Sequence, residues 1–314
     1  MKKVLVTGAL GQIGSELVLA LRERFGTENV VASDYREPES SPQSNCEPFT
    51  RIDVTSRTEL SNAIETFDIG TIYHLAAILS ATGEQNPQNA WRVNIDGLLN
   101  VLELGRQMDV RRIFIPSSIA VFGPETPPDA PQETVLLPRT IYGVTKVTGE
   151  LLGDYYVRKY GLDVRGLRYP GIISSETLPG GGTTDYAVEI FYKALREGAY
   201  TCYVRPDTVL PMMYMPDCIK ATLDLMGADR ADLTHFCTFN VGAMTFSAEE
   251  LATEITKHIP HFRCTYEPDY RQQIADCWPR SVDDRAARSE WGWNPTFTLE
   301  SMTVDMLERL RARL

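Results

Sequence analysis

No run of eighteen apolar residues occurs anywhere in the 314-residue chain, so the signature of a membrane-crossing helix is missing. The apolar run behind Met1-Lys2-Lys3 is only Val4-Leu5-Val6. That is too short for the core of a secretory signal, and no small-residue cleavage site follows it, so a cytoplasmic protein is expected. Cysteine is sparse and unpatterned: Cys46, Cys202, Cys218, Cys237, Cys264 and Cys277 are scattered, with no Cys-x-x-Cys. Reduced, mostly buried thiols are therefore expected rather than a disulfide framework. Histidine is rarer still, at four residues. His258 and His261 stand three apart but belong to no metal-binding motif, which leaves a surface segment and no metal site. Positive charge is also short, with 31 Lys and Arg against 42 Asp and Glu and a net charge of −11. That balance argues against a nucleic acid or an anionic membrane as partner.

What is present is ordinary globular material. Hydrophobic residues make up 43% and charged residues 23% of the chain, which removes disordered and fibrous classes. The length suits one large domain or two interlocked ones. Through the first half, short apolar runs alternate with helix-period segments, the pattern of a parallel sheet covered on both faces. Strands are expected at 3–6, 29–32, 47–53, 71–75, 112–115 and 164–169. Helices are expected at 13–25, 58–65, 89–108 and 142–160. The stretch 125–138 contains Pro127, Pro128, Pro131 and Pro138 and is expected to be a surface loop. From Gly171 onward glycines, aromatics and prolines dominate, so short elements forming a smaller lobe are expected. The expected architecture is α/β: a Rossmann-type doubly wound parallel sheet in 1–170, rejoined by return segments near 207–242. A second, smaller C-terminal substrate-binding lobe is expected mainly in 171–314.

Two motifs carry chemistry. The first is Thr7-Gly8-Ala9-Leu10-Gly11-Gln12-Ile13-Gly14, directly after the first expected strand. Glycines at 8, 11 and 14 allow a tight turn, a close backbone approach to a pyrophosphate, and close packing of helix on strand. The helix opening at Gln12 and Ile13 then offers its first amides to the phosphates. Asp34 ends the second expected strand, where a carboxylate can accept both ribose hydroxyls and repel a 2′-phosphate. Arg36 beside it leaves NADP tolerance open.

The second motif is Tyr142-Gly143-Val144-Thr145-Lys146, following Ser117-Ser118. Tyr142 and Lys146 are four apart on an expected helix, so both side chains leave one face. A free phenol, with a pKa near ~10, is a poor base at neutral pH. A neighbouring ammonium and a cationic nicotinamide ring both favour the phenolate, so its pKa is expected to fall. Lys146 can also reach ribose hydroxyls, and Ser118 can donate to a substrate oxygen.

In this order and spacing the two motifs resemble the extended branch of the short-chain dehydrogenase/reductase superfamily. That resemblance implies NAD as cofactor and Ser118, Tyr142 and Lys146 as the catalytic set. It also places Asp53, Val54, Leu75, Ala76, Ala77, Asn94 and Tyr169 against the cofactor, alongside Gly8, Gly11, Gln12, Ile13, Gly14 and Asp34. Nucleotide-sugar epimerases and dehydratases share this N-terminal half, but they usually carry Arg-Tyr-Phe-Asn after the sixth strand. Here the segment is Arg168-Tyr169-Pro170-Gly171, without that asparagine.

The next distinctive stretch is Gly180-Gly181-Gly182-Thr183-Thr184-Asp185. Its amides and hydroxyls suit a small anion, and Asp185 could meet a cation, so a zwitterionic amino acid fits both charges. Together with Ile274-Ala275-Asp276-Cys277-Trp278-Pro279, this loop resembles the short-chain L-threonine 3-dehydrogenases, whose members carry Ser at the position of Cys277. The resemblance covers essentially the whole chain. It implies oxidation of the threonine β-hydroxyl by NAD without zinc, with L-threonine as small-molecule substrate. Ser80, Ser118, Tyr142, Gly180, Thr183, Asp185 and a closing Trp278 would contact that substrate. The two long helices resemble the family's dimer-forming pair, so a homodimer is implied. An NAD-sensing regulator on this fold is the other class of reading, but such proteins commonly lose the catalytic Tyr or Lys, and both are present here.

Overall fold

The computed structural model describes residues 2–38, 48–178 and 180–314. Cys46, Glu47 and Pro179, all touched by the sequence reading, lie outside the described residues. The large sheet has seven strands: β1 (Lys3–Thr7), β2 (Val30–Asp34), β3 (Phe49–Arg51), β4 (Ile69–His74), β5 (Arg112–Ser118), β6 (Asp163–Tyr169) and β7 (Phe239–Asn240). Their spatial order is β7-β6-β5-β4-β1-β2-β3, and every pairing is parallel. The chain winds outward from β1 to β3, then crosses to β4 and winds the other way. The reversal between β1 and β4 opens a crevice at the carboxyl ends of the strands, where ligands of such sheets bind. β2 and β6 are buried along their whole length, as expected where helices cover both faces.

Three helical segments build the crevice. Helix Gln12–Phe25 follows the glycine turn. A second segment runs through Pro87–Trp91, a π-helical turn at Arg92–Asp96, and Gly97–Gln107. The third, Ile141–Tyr160, begins at Thr140, whose hydroxyl accepts from the Gly143 amide at 3.1 Å. It ends at Gly161 with φ of 72°, a left-handed stop that glycine adopts without strain.

The structure differs from expectation in two ways. The elements after Gly171 are not all short: Tyr186–Glu197, Ala248–His258 and Leu299–Arg313 are full helices. Buried Tyr186, Ala187, Ile190, Phe191 and Ala194 recur at three- and four-residue steps, which overrides the glycine-rich texture just before them. These helices pack on a three-stranded sheet whose central strand, Val209–Tyr214, lies parallel to Gly171–Ile173 and antiparallel to Met244–Ser247. The stretch 125–138 is also not wholly loop, because Asp129–Ala130 pairs in parallel with Ser281–Val282. Among the described residues no helix is long and apolar enough to cross a membrane. Cys202, Cys218 and Cys237 are buried free thiols, and Cys264 and Cys277 are partly buried.

Candidate active site

Two connected clefts occupy the crevice and share Gly8, Gly11, Leu75 and Ala77. The first, about 280 Å³, is bordered by Asp34, Tyr35 and Arg36 on one side and by Asp53, Val54 and Ala76 on the other. The second, about 220 Å³, runs from Gln12, Ile13 and Gly14 to Ser118, Tyr142 and Lys146. Glycine is required where these clefts meet. Gly8 has φ of +70°, and a Cβ there would stand 2.7 Å from the Ala76 amide nitrogen. Helix Gln12–Phe25 has no side-chain cap, so its first amides are open to the cleft. Gln12 Nε2 is buried there without a partner.

Asp34 is buried at the end of β2, and its carboxylate is already engaged. It accepts from the Leu10 amide at 3.2 Å, the Arg36 amide at 3.1 Å and Arg36 Nε at 3.0 Å. Arg36, which left NADP tolerance open, thus folds onto Asp34.

At the other end Tyr142 and Lys146 leave one face of the helix, with the amine 5.3 Å from the phenol ring centre. Lys146 Nζ donates to the Pro116 carbonyl at 2.6 Å. Burial pushes the Lys146 amine down to about 8, against the opposing charge of Glu150. Burial pushes the Tyr142 phenol up to about 12, while a hydrogen bond with Ser118 pulls the other way. The expected lowering of the phenol includes a cationic nicotinamide ring; in the protein alone desolvation is the dominant influence on Tyr142.

The substrate side is formed by the later half of the chain. Thr183 is buried with its hydroxyl 3.3 Å from that of Ser80, and both line the second cleft. Trp278, partly buried, lines the same cleft. Two expected residues behave differently. Gly180 is exposed and is not part of the cleft wall. Asp185 reaches the cleft but points its carboxylate at its own loop, accepting from the Gly181 and Gly182 amides at 2.9 and 2.7 Å. The loop turns back at Gly181 with φ of +94°, which brings those amides onto the carboxylate. Burial pushes the Asp185 acid up to about 6.

Asn94 does not border either cleft. From the π-turn it accepts from the Ile78 amide at 2.8 Å and donates to the Ile78 carbonyl at 3.0 Å, fixing the segment after β4. Tyr169 lines the second cleft while its hydroxyl pairs with Thr222 behind it. The residues sequence reasoning missed lie beneath the lysine: Pro116, Ser117, Glu150 and Arg168. The one signal for them in the chain was Glu150, four residues after Lys146 on the same helical face. Among the described residues no group of three or more His, Cys, Asp or Glu is placed to hold a metal ion.

The chain matches the model of the NAD dependent epimerase/dehydratase family over residues 4–242. The chain belongs to that family. An uncharacterised epimerase/dehydratase of Staphylococcus haemolyticus is 49% identical over 315 residues, covering 100% of this chain and 99% of that protein. The structure of an L-threonine dehydrogenase from Phytophthora infestans is 50% identical with a TM-score of 0.96, covering 100% of both chains. A monomeric L-threonine 3-dehydrogenase from a metagenome is 49% identical with a TM-score of 0.95, covering 99% of each chain. Membership in the epimerase/dehydratase family therefore goes with more than one name among relatives at about half identity, and one of those neighbours is monomeric.

The residues present fit the cofactor this family takes its name from. The uncapped helix amides and the orphaned Gln12 amide nitrogen form a donor set for a pyrophosphate. The Gly8 turn leaves no room for a side chain between it and the end of β4. Asp34 borders the first cleft and Lys146 the second, and the two clefts share the glycine turn at Gly8 and Gly11.

Proposed function

We propose that this chain oxidises the β-hydroxyl of L-threonine, giving 2-amino-3-oxobutanoate, NADH and a proton, with Tyr142 as general base. The observation that carries this is the small second cleft, which joins an intact Ser118–Tyr142–Lys146 set to the Thr183 loop. The absence of an asparagine after Tyr169 favours an amino acid over a sugar nucleotide. The L-threonine dehydrogenases at about half identity support the same reading.

NAD, when bound, supplies the hydride acceptor; the remaining work falls to the protein. Residues 1–170, with return segments near 207–242, hold the cofactor, and 171–314 chiefly serve the substrate. Ser118 orients the substrate hydroxyl, and Tyr142 takes its proton once the cofactor's positive charge offsets the desolvation of the phenol. Lys146, charged at neutral pH, anchors the nicotinamide ribose. Thr183, Ser80 and nearby amides hold the threonine headgroup, with Trp278 covering it. Asp185 serves by shaping the glycine loop rather than by meeting the ammonium. Exposed Leu99, Val144, Leu151 and Tyr155 on the two long helices support a homodimer through that face, testable by light scattering.

The test is Tyr142→Phe. It should bind NAD as the parent does while threonine turnover falls by a factor on the order of 10²–10⁴. Turnover near the parent's would remove Tyr142 from the reaction. An epimerase reading keeps two observations in its favour, the name of the curated staphylococcal relative and that of the matching family. UDP-sugar turnover would decide for it.

A further inference from the structure

Directly below the catalytic pair lies a buried ion pair that the reaction as described does not use. Glu150 and Arg168 are 3% and 4% exposed. Arg168 Nε and Nη2 each meet a Glu150 oxygen at 2.8 Å. Arg168 also donates to the Gln132 carbonyl at 3.0 Å and to Asn240 Oδ1 at 3.2 Å. Burying two charges is costly unless the geometry satisfies them, and removing one partner is worse than removing both. Such a pair beneath a reactive lysine invites a functional account.

The connections supply it. Ser117 Oγ donates to Glu150 Oε1 at 2.5 Å. On either side of Ser117 stand the two residues of β5 that seat the catalytic pair. The Pro116 carbonyl accepts from Lys146, and the Ser118 hydroxyl bonds with Tyr142. Glu150 and Lys146 are one helical turn apart and border the same small cavity of about 30 Å³, which holds little more than a water. Few solvent molecules can screen the carboxylate from the amine there.

We propose that Glu150 is a positioning residue for the Tyr142–Lys146 pair. From one turn below, it fixes the end of β5 through Ser117 and supplies the negative charge facing the Lys146 amine. This rests on the dehydrogenase reading for its consequence in turnover, but not for its effect on the lysine.

Other groups facing the amine do not replace Glu150. His74 on β4 borders the same cavity, but burial holds its imidazole down to about 3, so it is neutral. Its Nδ1 is bonded with the Thr7 hydroxyl at 2.9 Å. Asn94 and Thr145 are uncharged, and Tyr142 is a neutral phenol in the protein alone. Arg168, on β6, does not border that cavity and is paired with the carboxylate. Glu150 is the carboxylate that raises Lys146 against the lowering by burial.

The test is Glu150→Gln, read first on the cofactor-free protein. Lysine amines are reductively methylated with ¹³C-formaldehyde, and the Lys146 methyl resonance, identified by its loss in Lys146→Arg, is titrated by NMR. The proposal expects Lys146 in E150Q to titrate on the order of one pH unit lower. The alkaline limb of NAD binding should move the same way, with affinity equal to the parent's at pH 6.5 and weaker at pH 8. Glu150→Asp should restore much of both. Should E150Q fail to fold, the double variant Glu150→Gln with Arg168→Gln removes both buried charges, and Lys146 should still titrate lower than in the parent, by less than in E150Q because a cation is lost with the carboxylate. A folded variant in which Lys146 titrates as in the parent would overturn the proposal, whatever its turnover. Absence of threonine turnover in the parent itself would overturn only the reading of the reaction.

Discussion

Replacing Gly8 by alanine separates the close-approach role of the glycine turn from simple backbone strain. At Gly8 the new Cβ would stand 2.7 Å from the Ala76 nitrogen, 2.8 Å from the Leu75 carbonyl carbon and 2.9 Å from Ala76 Cα. All three are backbone atoms at the end of β4, so none can swing aside as a flexible side chain would. The turn and the strand end must separate by a few tenths of an ångström, in a sheet where neighbouring strands fix both. The left-handed φ of +70° adds about 1–2 kcal/mol for a residue with a Cβ. Overpacking adds about 1–3 kcal/mol, for a total of roughly 2–5 kcal/mol.

Gly161 is the internal control. Its φ is +72°, yet nothing lies within 4 Å of the Cβ that an alanine would place there. Gly161→Ala should therefore cost only the strain, about 1–2 kcal/mol. Urea denaturation of the two variants measures the difference, and calorimetric titration with NAD measures its consequence. Gly8→Ala should be the less stable by about 1–3 kcal/mol and should bind NAD at least tenfold more weakly. Gly161→Ala should bind it as the parent does. Equal stability of the two variants with unchanged NAD affinity in Gly8→Ala would refute the claim that the turn is glycine because the chain must pass there.

Thr183→Ala and Trp278→Ala should each raise the threonine KM several-fold or more with little change in NAD affinity, as steady-state kinetics and NAD titration would show; unchanged KM in both would place the substrate elsewhere. Burial pushes the Glu16 acid up to about 7, with Ser174 donating to it at 2.6 Å and Glu176, Arg309 and Arg313 nearby. Glu16 therefore binds its proton more tightly folded than unfolded, so it costs stability as pH rises from about 4.5 to about 7. Glu16→Gln should accordingly raise the melting temperature relative to the parent at pH 8 and lose that advantage at pH 5. A constant difference across that range would contradict the assignment. Hydrogen exchange across 180–187 should slow when a threonine analogue joins NAD if the Thr183 loop holds the headgroup as proposed; equal protection with NAD alone would say it does not.

How much of this was legible in the chain depends on how local each signal is. The glycine turn, Asp34 at the end of β2 and the Tyr142–Lys146 spacing are local patterns, and the structure brings all of them to one crevice. The strands of the first half show as apolar runs because both faces of a parallel sheet are covered. The later helices are harder to read, since Tyr186–Glu197 follows a glycine loop that masks its start. Arg36 folding onto Asp34 is a choice between partners that spacing cannot make. Asp185 turns inward for a similar reason, because two loop amides lie within its reach. The Ser117–Glu150–Arg168 arrangement joins three separate elements, so only the folded chain reveals it. The high Tyr142 phenol is a property of burial, which a motif does not record.

The central claim is that this cleft takes L-threonine, removes the proton of its β-hydroxyl and passes a hydride from its β-carbon to NAD. It is tested most directly by following NADH absorbance with the purified protein, NAD and a panel of L-amino acids, beside a chromatographic assay on UDP-glucose and UDP-galactose. The account predicts rapid NADH formation with L-threonine, much slower formation when NADP replaces NAD, and no change in the UDP-sugars. Interconversion of the UDP-sugars with no NADH from threonine would contradict it.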